Sequence, residues 1–111
     1  MPVRDFRVKL TPTEAMETIK EEVLGRSVSG TLVDQYVRIS DDKKIIVMIL
    51  EKFYMRTSNR ASLTVTIDNF ESETNVHAVA AGTSDSLLRF DWGAGKSFSN
   101  SVENALNPYI I

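Results

Sequence analysis

The sequence predicts an α+β domain in which two helices pack on a single antiparallel sheet. After an initial strand and a first helix, segments with strand-like alternation follow one another without a break, and a second helix closes the chain. The connections between those later strands are too short to contain a crossover helix, which makes the strands antiparallel. With 111 residues, 42% of them hydrophobic and 25% charged, residues 1–111 are expected to form one domain with its own core.

The chain opens with a strand and a capped helix. Residues 5–10 alternate apolar and charged side chains, which is typical of a strand with one buried face. Thr11 is predicted to be the N-cap of the helix, Pro12 its first residue and Glu14 the partner that completes a capping box. Gly25 is predicted to end the helix at the C′ position. The apolar stripe of this helix comprises Ala15, Met16, Ile19 and Val23.

Most of the remaining chain is predicted to be strands joined by tight turns. Residues 40–43 are polar and separate two apolar segments, so we expect a hairpin there. The predicted order is strand, helix, four or five strands, helix. The predicted strands are residues 31–39, 44–56, 62–68, 75–81 and, as an optional last one, 87–92.

A closing helix is predicted from about residue 96 to residue 107. Its apolar side chains recur at helical spacing. Pro108 disfavours a helical conformation at Asn107, so the helix should end there. The stripe comprises Phe98, Val102, Ala105, Leu106 and Tyr109.

Composition and charge narrow the function classes. The chain has no cysteine and one histidine, which argues against disulfides, metal sites and a cysteine nucleophile. Thirteen basic residues face fifteen acidic ones, so no overall positive field attracts nucleic acid. The longest wholly apolar run, residues 45–50, is far too short to span a membrane. We therefore expect a cytoplasmic protein without a metal, a cofactor, a nucleic-acid partner or a membrane span.

Two stretches resemble a known family. One is residues 52–63, KFYMRTSNRASL, and the other is residues 80–84, AAGTS, followed by residues 90–94, FDWGA. They are similar to a family of small bacterial proteins of about 110 residues that has no assigned activity or site residues. The resemblance, over about residues 52–109, implies the fold and leaves the function open. The element order also resembles helix-grip and TATA-binding-protein-like domains, in which a curved antiparallel sheet wraps a long helix.

One glycine-rich segment suggests an anion site. Gly93, Gly95, Lys96 and Ser97 resemble the end of a phosphate-binding loop. Phe90 stands where that motif needs a glycine, and the sheet is antiparallel, so a nucleotide hydrolase is not expected. Two interpretations stay open. In the first, an anion is held by Lys96 and by free N–H groups at a helix N-terminus. In the second, which we favour, the segment is a flexible turn.

The other polar candidates are weaker. His77 lies in the middle of a predicted strand, and we expect a structural or solvent-facing histidine rather than a general base. A mixture of basic and aromatic residues at a strand end is typical of base stacking or phosphate binding. The net acidity of the chain instead favours an exposed strand end. No catalytic residue is predicted. The mixture comprises Lys52, Phe53, Tyr54, Arg56 and Arg60.

The predicted strand at residues 44–56 has two apolar faces, and two helices cover only one face of a sheet. We assign the face that carries Ile45, Val47 and Ile49 to the helices, because Phe53 and Met55 extend it. The other face is then expected to point away from the helices and to form an apolar patch that needs a cover. That patch comprises Leu32, Tyr36, Ile46, Met48 and Leu50.

Three explanations of the patch compete: a subunit interface, a ligand, or a sheet that curls over itself. The first hypothesis for function is therefore a non-enzymatic interaction module that self-associates, as a homodimer, through this sheet face. The second is a carrier of a small apolar ligand, held between the curved sheet and the C-terminal helix. An enzyme is the weakest hypothesis, because no nucleophile, base and orienting group stand out together.

Overall fold

The computed structural model describes residues 3–27, 29–54, 59–82 and 92–111, and it has the predicted α+β fold. The element order is strand, helix, four strands, helix. A π-helical turn, Lys20–Leu24, continues the first helix, and a 3-10 turn, Asn107–Tyr109, follows the second. The main elements are β1 (Val3–Val8), α1 (Pro12–Ile19), β2 (Thr31–Ser40), β3 (Lys43–Tyr54), β4 (Asn59–Glu71), β5 (Glu73–Gly82) and α2 (Trp92–Leu106).

The five strands form one sheet in the order β1-β5-β4-β3-β2. Every neighbouring pair is antiparallel, which confirms the predicted single antiparallel sheet. The strands β2 to β5 form a meander, whereas β1 lies beside β5, so the helical connection after β1 crosses from one edge of the sheet to the other. The optional last strand at residues 87–92 lies outside the described residues, except that Trp92 begins α2.

The start of α1 is the predicted capping box. The Glu14 N–H donates to Thr11 Oγ1 at 3.2 Å, and the Thr11 N–H donates to Glu14 Oε1 at 2.9 Å. Pro12 is the first helical residue, where its missing N–H costs no hydrogen bond. The helical run ends beside Gly25 as predicted, but that glycine has a φ of −63°, so it is not a left-handed cap.

The core lies between one face of the sheet and the two helices. The predicted burial of Phe98, Val102 and Leu106 on α2 is confirmed, with exposed fractions of 3% or less. The central strand β4 contributes alternate residues to this core, and its intervening residues are polar. The buried apolar residues of the sheet are Val8, Ile46, Met48, Leu50, Ala61, Leu63, Val65, Ile67, Val76, Ala78 and Ala80.

The predicted assignment of the two faces of β3 is wrong. Ile46, Met48 and Leu50 are 1% or less exposed and belong to the core, whereas residues 45, 47 and 49 lie on the open face and are half-buried. The reason is the register with β4. Ile46 pairs with Ile67, Met48 with Val65, and Leu50 with Leu63, and directly paired residues share a face of the sheet. Because β4 is apolar on one face only, it decides which face of β3 the helices cover.

Replacing Thr11 by alanine should lower the free energy of unfolding by about 1 kcal/mol, because the Glu14 N–H loses its side-chain acceptor. Thr11→Ser keeps an acceptor oxygen and should stay within a few tenths of a kcal/mol of the wild type. Urea denaturation followed by circular dichroism measures both. Equal losses in the two variants would show that the hydroxyl does not cap the helix.

A pair of lysine substitutions distinguishes the two faces of β3. Met48→Lys places an uncompensated charge in the core and should cost on the order of 3–5 kcal/mol, enough to unfold much of a marginally stable domain. Val47→Lys, one residue away on the open face, should stay within about 1 kcal/mol. Thermal and urea denaturation of both variants check this. The opposite ranking would restore the original assignment of faces.

Candidate functional site

Among the basic and aromatic residues at the end of β3, Arg60 has an acidic and an aromatic partner. Arg60 lies opposite Phe53 in the register of β3 and β4, with its guanidinium carbon 5.8 Å from the ring centroid. Its Nη1 donates to Glu51 Oε1 at 3.1 Å. A cation that already has a carboxylate and a ring is typical of an exposed strand end, as the sequence suggested. Of the other members, Arg56 and the side chain of Tyr54 lie outside the described residues.

His77 lies on the open face of the sheet and has an acidic partner. Its Nδ1 is 2.7 Å from Asp5 Oδ2, and the two side chains are 42% and 55% exposed. The register places Asp5 on β1 opposite His77, and Thr66 on β4 opposite His77 from the other side. A carboxylate, an imidazole and a hydroxyl therefore lie in one row across three strands. The row is on an open face, so water reaches the pair, and nothing in its geometry encloses a substrate.

The glycine-rich segment is helical. The predicted turn at residues 93–97 is wrong, because α2 begins at Trp92. Tertiary packing of α2 overrides the cost of about 1 kcal/mol that each helical glycine carries. Ser97 is exposed, whereas the side chain of Lys96 and the surroundings of Gly93 and Gly95 lie outside the described residues. Anion binding at this segment stays a prediction.

A small pocket lies where the π-helical turn, the end of β3 and α2 meet. It has a volume of about 190 Å³, which is below the usual range of small-molecule sites. Charged and hydroxyl side chains contribute much of its lining, and Arg26 pairs with Glu22 at 3.0 Å beside it. The pocket therefore gives no specific support to an apolar ligand, and the carrier hypothesis stays a prediction. The polar lining residues are Glu22, Arg26, Ser27, Lys52, Ser97 and Ser101.

The two edges of the sheet differ. At β1, the C-terminal segment covers the last part of the edge: the Ile111 N–H donates to Arg7 O, and the Lys9 N–H donates to Tyr109 O, both at 2.9 Å. Val8 and Ile110 form an isolated β-bridge between them. At β2, no described segment pairs with the outer side of the strand. Among the described residues, the ten-residue strand β2 therefore has the longer unpaired edge, along which alternate residues present their backbone donors and acceptors.

Apolar side chains are concentrated at this open edge. Val33, Tyr36, Val37 and Ile39 are 54%, 50%, 39% and 63% exposed. Tyr36 pairs with Val47 across the two strands, so the open face of β3 continues the apolar area on that side. Val37 and Ile39 pair with Ile46 and Lys44 and are exposed on the helix-facing side of the same strand. We call this area the β2 surface: Val33, Tyr36, Val37 and Ile39, with Ile45 and Val47 of β3.

Two charges flank Tyr36 on the open face of β2. Asp34 pairs with Ile49 and Arg38 with Ile45 in the register with β3, which places all three β2 side chains on one face. Arg38 Nη1 donates to Tyr36 Oη at 2.9 Å. The guanidinium is charged at every working pH, and this hydrogen bond raises the pKa of Arg38 further above its ordinary value.

The sequence-based interface set is divided by the structure. Tyr36 is exposed on β2, and Leu32 is half-buried and packs against the core. Ile46, Met48 and Leu50 are buried beneath the helices and are not available to a partner. The sequence analysis missed Val33, Val37 and Ile39. The sequence contained a signal for these three residues, because the segment that forms β2 carries apolar side chains on both of its faces.

The chain belongs to a family of unknown function, DUF6054, whose model matches residues 1–110. This confirms the resemblance to a family without an assigned activity. No curated protein matches the chain. In the part of the chain that the structure describes, no helix is long and apolar enough to cross a membrane, and no three histidine, aspartate or glutamate side chains converge as metal ligands.

The pair of His77 and Asp5 should contribute little to stability, because both side chains are about half exposed. A double-mutant cycle with His77→Ala and Asp5→Ala should give a coupling energy of at most about 1 kcal/mol. Urea denaturation of the four proteins at neutral pH measures it. A coupling energy well above this value would show that the pair is held more rigidly than an exposed ion pair.

Proposed function

We propose that this protein is a non-enzymatic interaction module that self-associates through the β2 surface. The single observation that carries the proposal is the open edge strand. It is ten residues long, it has no described neighbour on its outer side, and it exposes four large apolar side chains. Open, apolar edge strands recruit further strands, because their unpaired N–H and C=O groups lie in a ready-made row.

The contrast with β1 supports this assignment. Natural sheets protect their edges with covering segments, charges, prolines or very short strands. This chain covers the end of β1 with its own C-terminal residues through two backbone hydrogen bonds, at Arg7 and Lys9. No proline interrupts β2, and residues 34–40 pair with β3 in an uninterrupted register. The protection of one edge and the exposure of the other are consistent with an edge reserved for a partner.

The proposal keeps the predicted homodimer and moves its interface. Instead of a contact made by the whole sheet face, the partner contacts the edge strand and the adjacent part of the open face. Ile45 and Val47 are half-buried there and lie beside Tyr36 and Arg38 in the register. Covering these aliphatic side chains removes apolar area from water, which is the main favourable contribution to association.

Val37→Lys should shift the protein toward monomer without unfolding it. The side chain is 39% exposed on the open edge strand, so a charge there is tolerated in the monomer and costs desolvation and like-charge repulsion in a symmetric contact. Val3→Lys is the matched control, because Val3 is 41% exposed at the opposite edge of the sheet. Sedimentation equilibrium over a wide concentration range measures the association of each protein.

Circular dichroism establishes that both variants remain folded. A wild-type protein that stays monomeric at the highest concentration contradicts the proposal. So does an equal loss of association in the two variants, because the contact would then not be specific to β2.

A further inference from the structure

We propose that two copies of the chain pair through β2 in an antiparallel register centred on Tyr36. In this register Asp34 of each copy lies directly opposite Arg38 of the other, and the two sheets join into one. The inference rests on the proposed self-association and specifies its geometry. A two-fold axis perpendicular to the sheet keeps the faces continuous, so that the helices of both copies lie on the same side of the joined sheet.

The charge pattern of β2 is self-complementary about Tyr36. Asp34 and Arg38 lie two residues before and two residues after Tyr36, on the same face of the strand. In an antiparallel pair centred on Tyr36, each residue faces the one at the mirrored position. Opposite charges therefore meet at both symmetric positions, and opposite charges in directly paired positions stabilise strand pairing.

Arg38 differs from the other arginines of the described residues. Each of those has a carboxylate oxygen within 3.4 Å: Arg4 with Glu103, Arg7 with Glu73, Arg26 with Glu22 and Arg60 with Glu51. Arg38 has only the Tyr36 hydroxyl as a side-chain partner among the described residues, and Asp34 has no ion pair there. A second copy in the proposed register supplies the missing partner to both side chains.

The bulge in β2 restricts the possible registers. The pairing with β3 shifts between Leu32 and Asp34, so Val33 is an extra residue and the regular edge begins at Asp34. A register centred on Tyr36 pairs residues 34–38, which lie wholly within the regular part. A centre closer to the bulge would pair distorted backbone, where the hydrogen-bond ladder is locally disrupted.

The helix-facing side of β2 is compatible with this register. Gln35 of each copy lies opposite Val37 of the other, and Ile39 lies just beyond the paired residues. Val37 and Ile39 are 39% and 63% exposed, because the helices do not extend over β2. Pairing brings Val37 and Ile39 of the two copies together and reduces the apolar area that each copy exposes to water.

A charge exchange tests the register. Asp34→Arg and Arg38→Asp each replace two attractive pairs by two repulsive ones, and each should raise the dimer Kd by about tenfold or more. The double variant Asp34→Arg/Arg38→Asp restores opposite charges and should return the Kd to near the wild-type value. Sedimentation equilibrium at low ionic strength measures the four proteins, because salt screens exposed charges. Single variants without effect, or a double variant as weak as the singles, would overturn the register.

Single cysteines provide an independent test, because the chain contains no cysteine. Directly opposed residues of an antiparallel pair have Cβ atoms about 5 Å apart, close enough for a disulfide after small adjustments. Tyr36→Cys should therefore form a covalent dimer under mild oxidation, and Val37→Cys should not. The reverse result would show a register centred on Val37, in which Tyr36 faces Arg38 and the charge pairs do not form.

The outcomes separate this inference from the proposed function. If Val37→Lys dissociates the dimer while the charge exchange has no effect and Tyr36→Cys does not cross-link, the module self-associates through β2 in another register. If the wild-type protein is monomeric throughout, the proposed function and the register both fail. Circular dichroism of every variant excludes unfolding as the cause of a lost dimer, since all the substituted side chains are exposed in the monomer.

Discussion

The one-sided alternation of the central strand β4 is the constraint on which the rest of the structure depends. Leu63, Val65 and Ile67 are fully buried, and the threonines between them lie on the open face. Because cross-strand partners share a face, this alternation is transmitted to β3 on one side and to β5 on the other. A one-residue slip of β4 would expose its entire apolar set, so the register and the location of the helices are fixed together.

The helix layer that packs on this face is narrower than the sheet. α1 contacts β3 and β4, and α2 contacts β4, β5 and β1. The edge strand β2 is left beyond the helices, which is why Val37 and Ile39 are exposed even though they lie on the helix-facing side. At the opposite edge, the C-terminal residues cover the end of β1. The asymmetry of the two edges thus follows from how two helices and a short tail are distributed over five strands.

The same arrangement is the reason for placing the proposed function at β2. Enzymes usually enclose their reacting groups in a concave site, whereas the pair of His77 and Asp5 lies on an open face with both side chains about half exposed. The pocket beside the π-helical turn is small, and its lining is as polar as it is apolar. Three features of β2 are not explained by packing among the described residues: an edge without a neighbouring strand there, an exposed apolar strip, and two charges without ionic partners in that part of the chain. These features are the basis of the proposed self-association.

The sequence by itself determined the local elements, and the tertiary structure decided how their faces are used. The capping box at Thr11, the meander of strands and the burial of Leu106 follow from patterns within a few residues, which record local hydrogen bonding and periodicity. The face of β3 that the helices cover could not be read from β3, because both of its faces are apolar, and only pairing with β4 distinguishes them. The partnership of His77 with Asp5, 72 residues away, and the open edge at β2 depend on strand order. Strand order is set by contacts between segments distant in sequence, for which a local pattern carries no information.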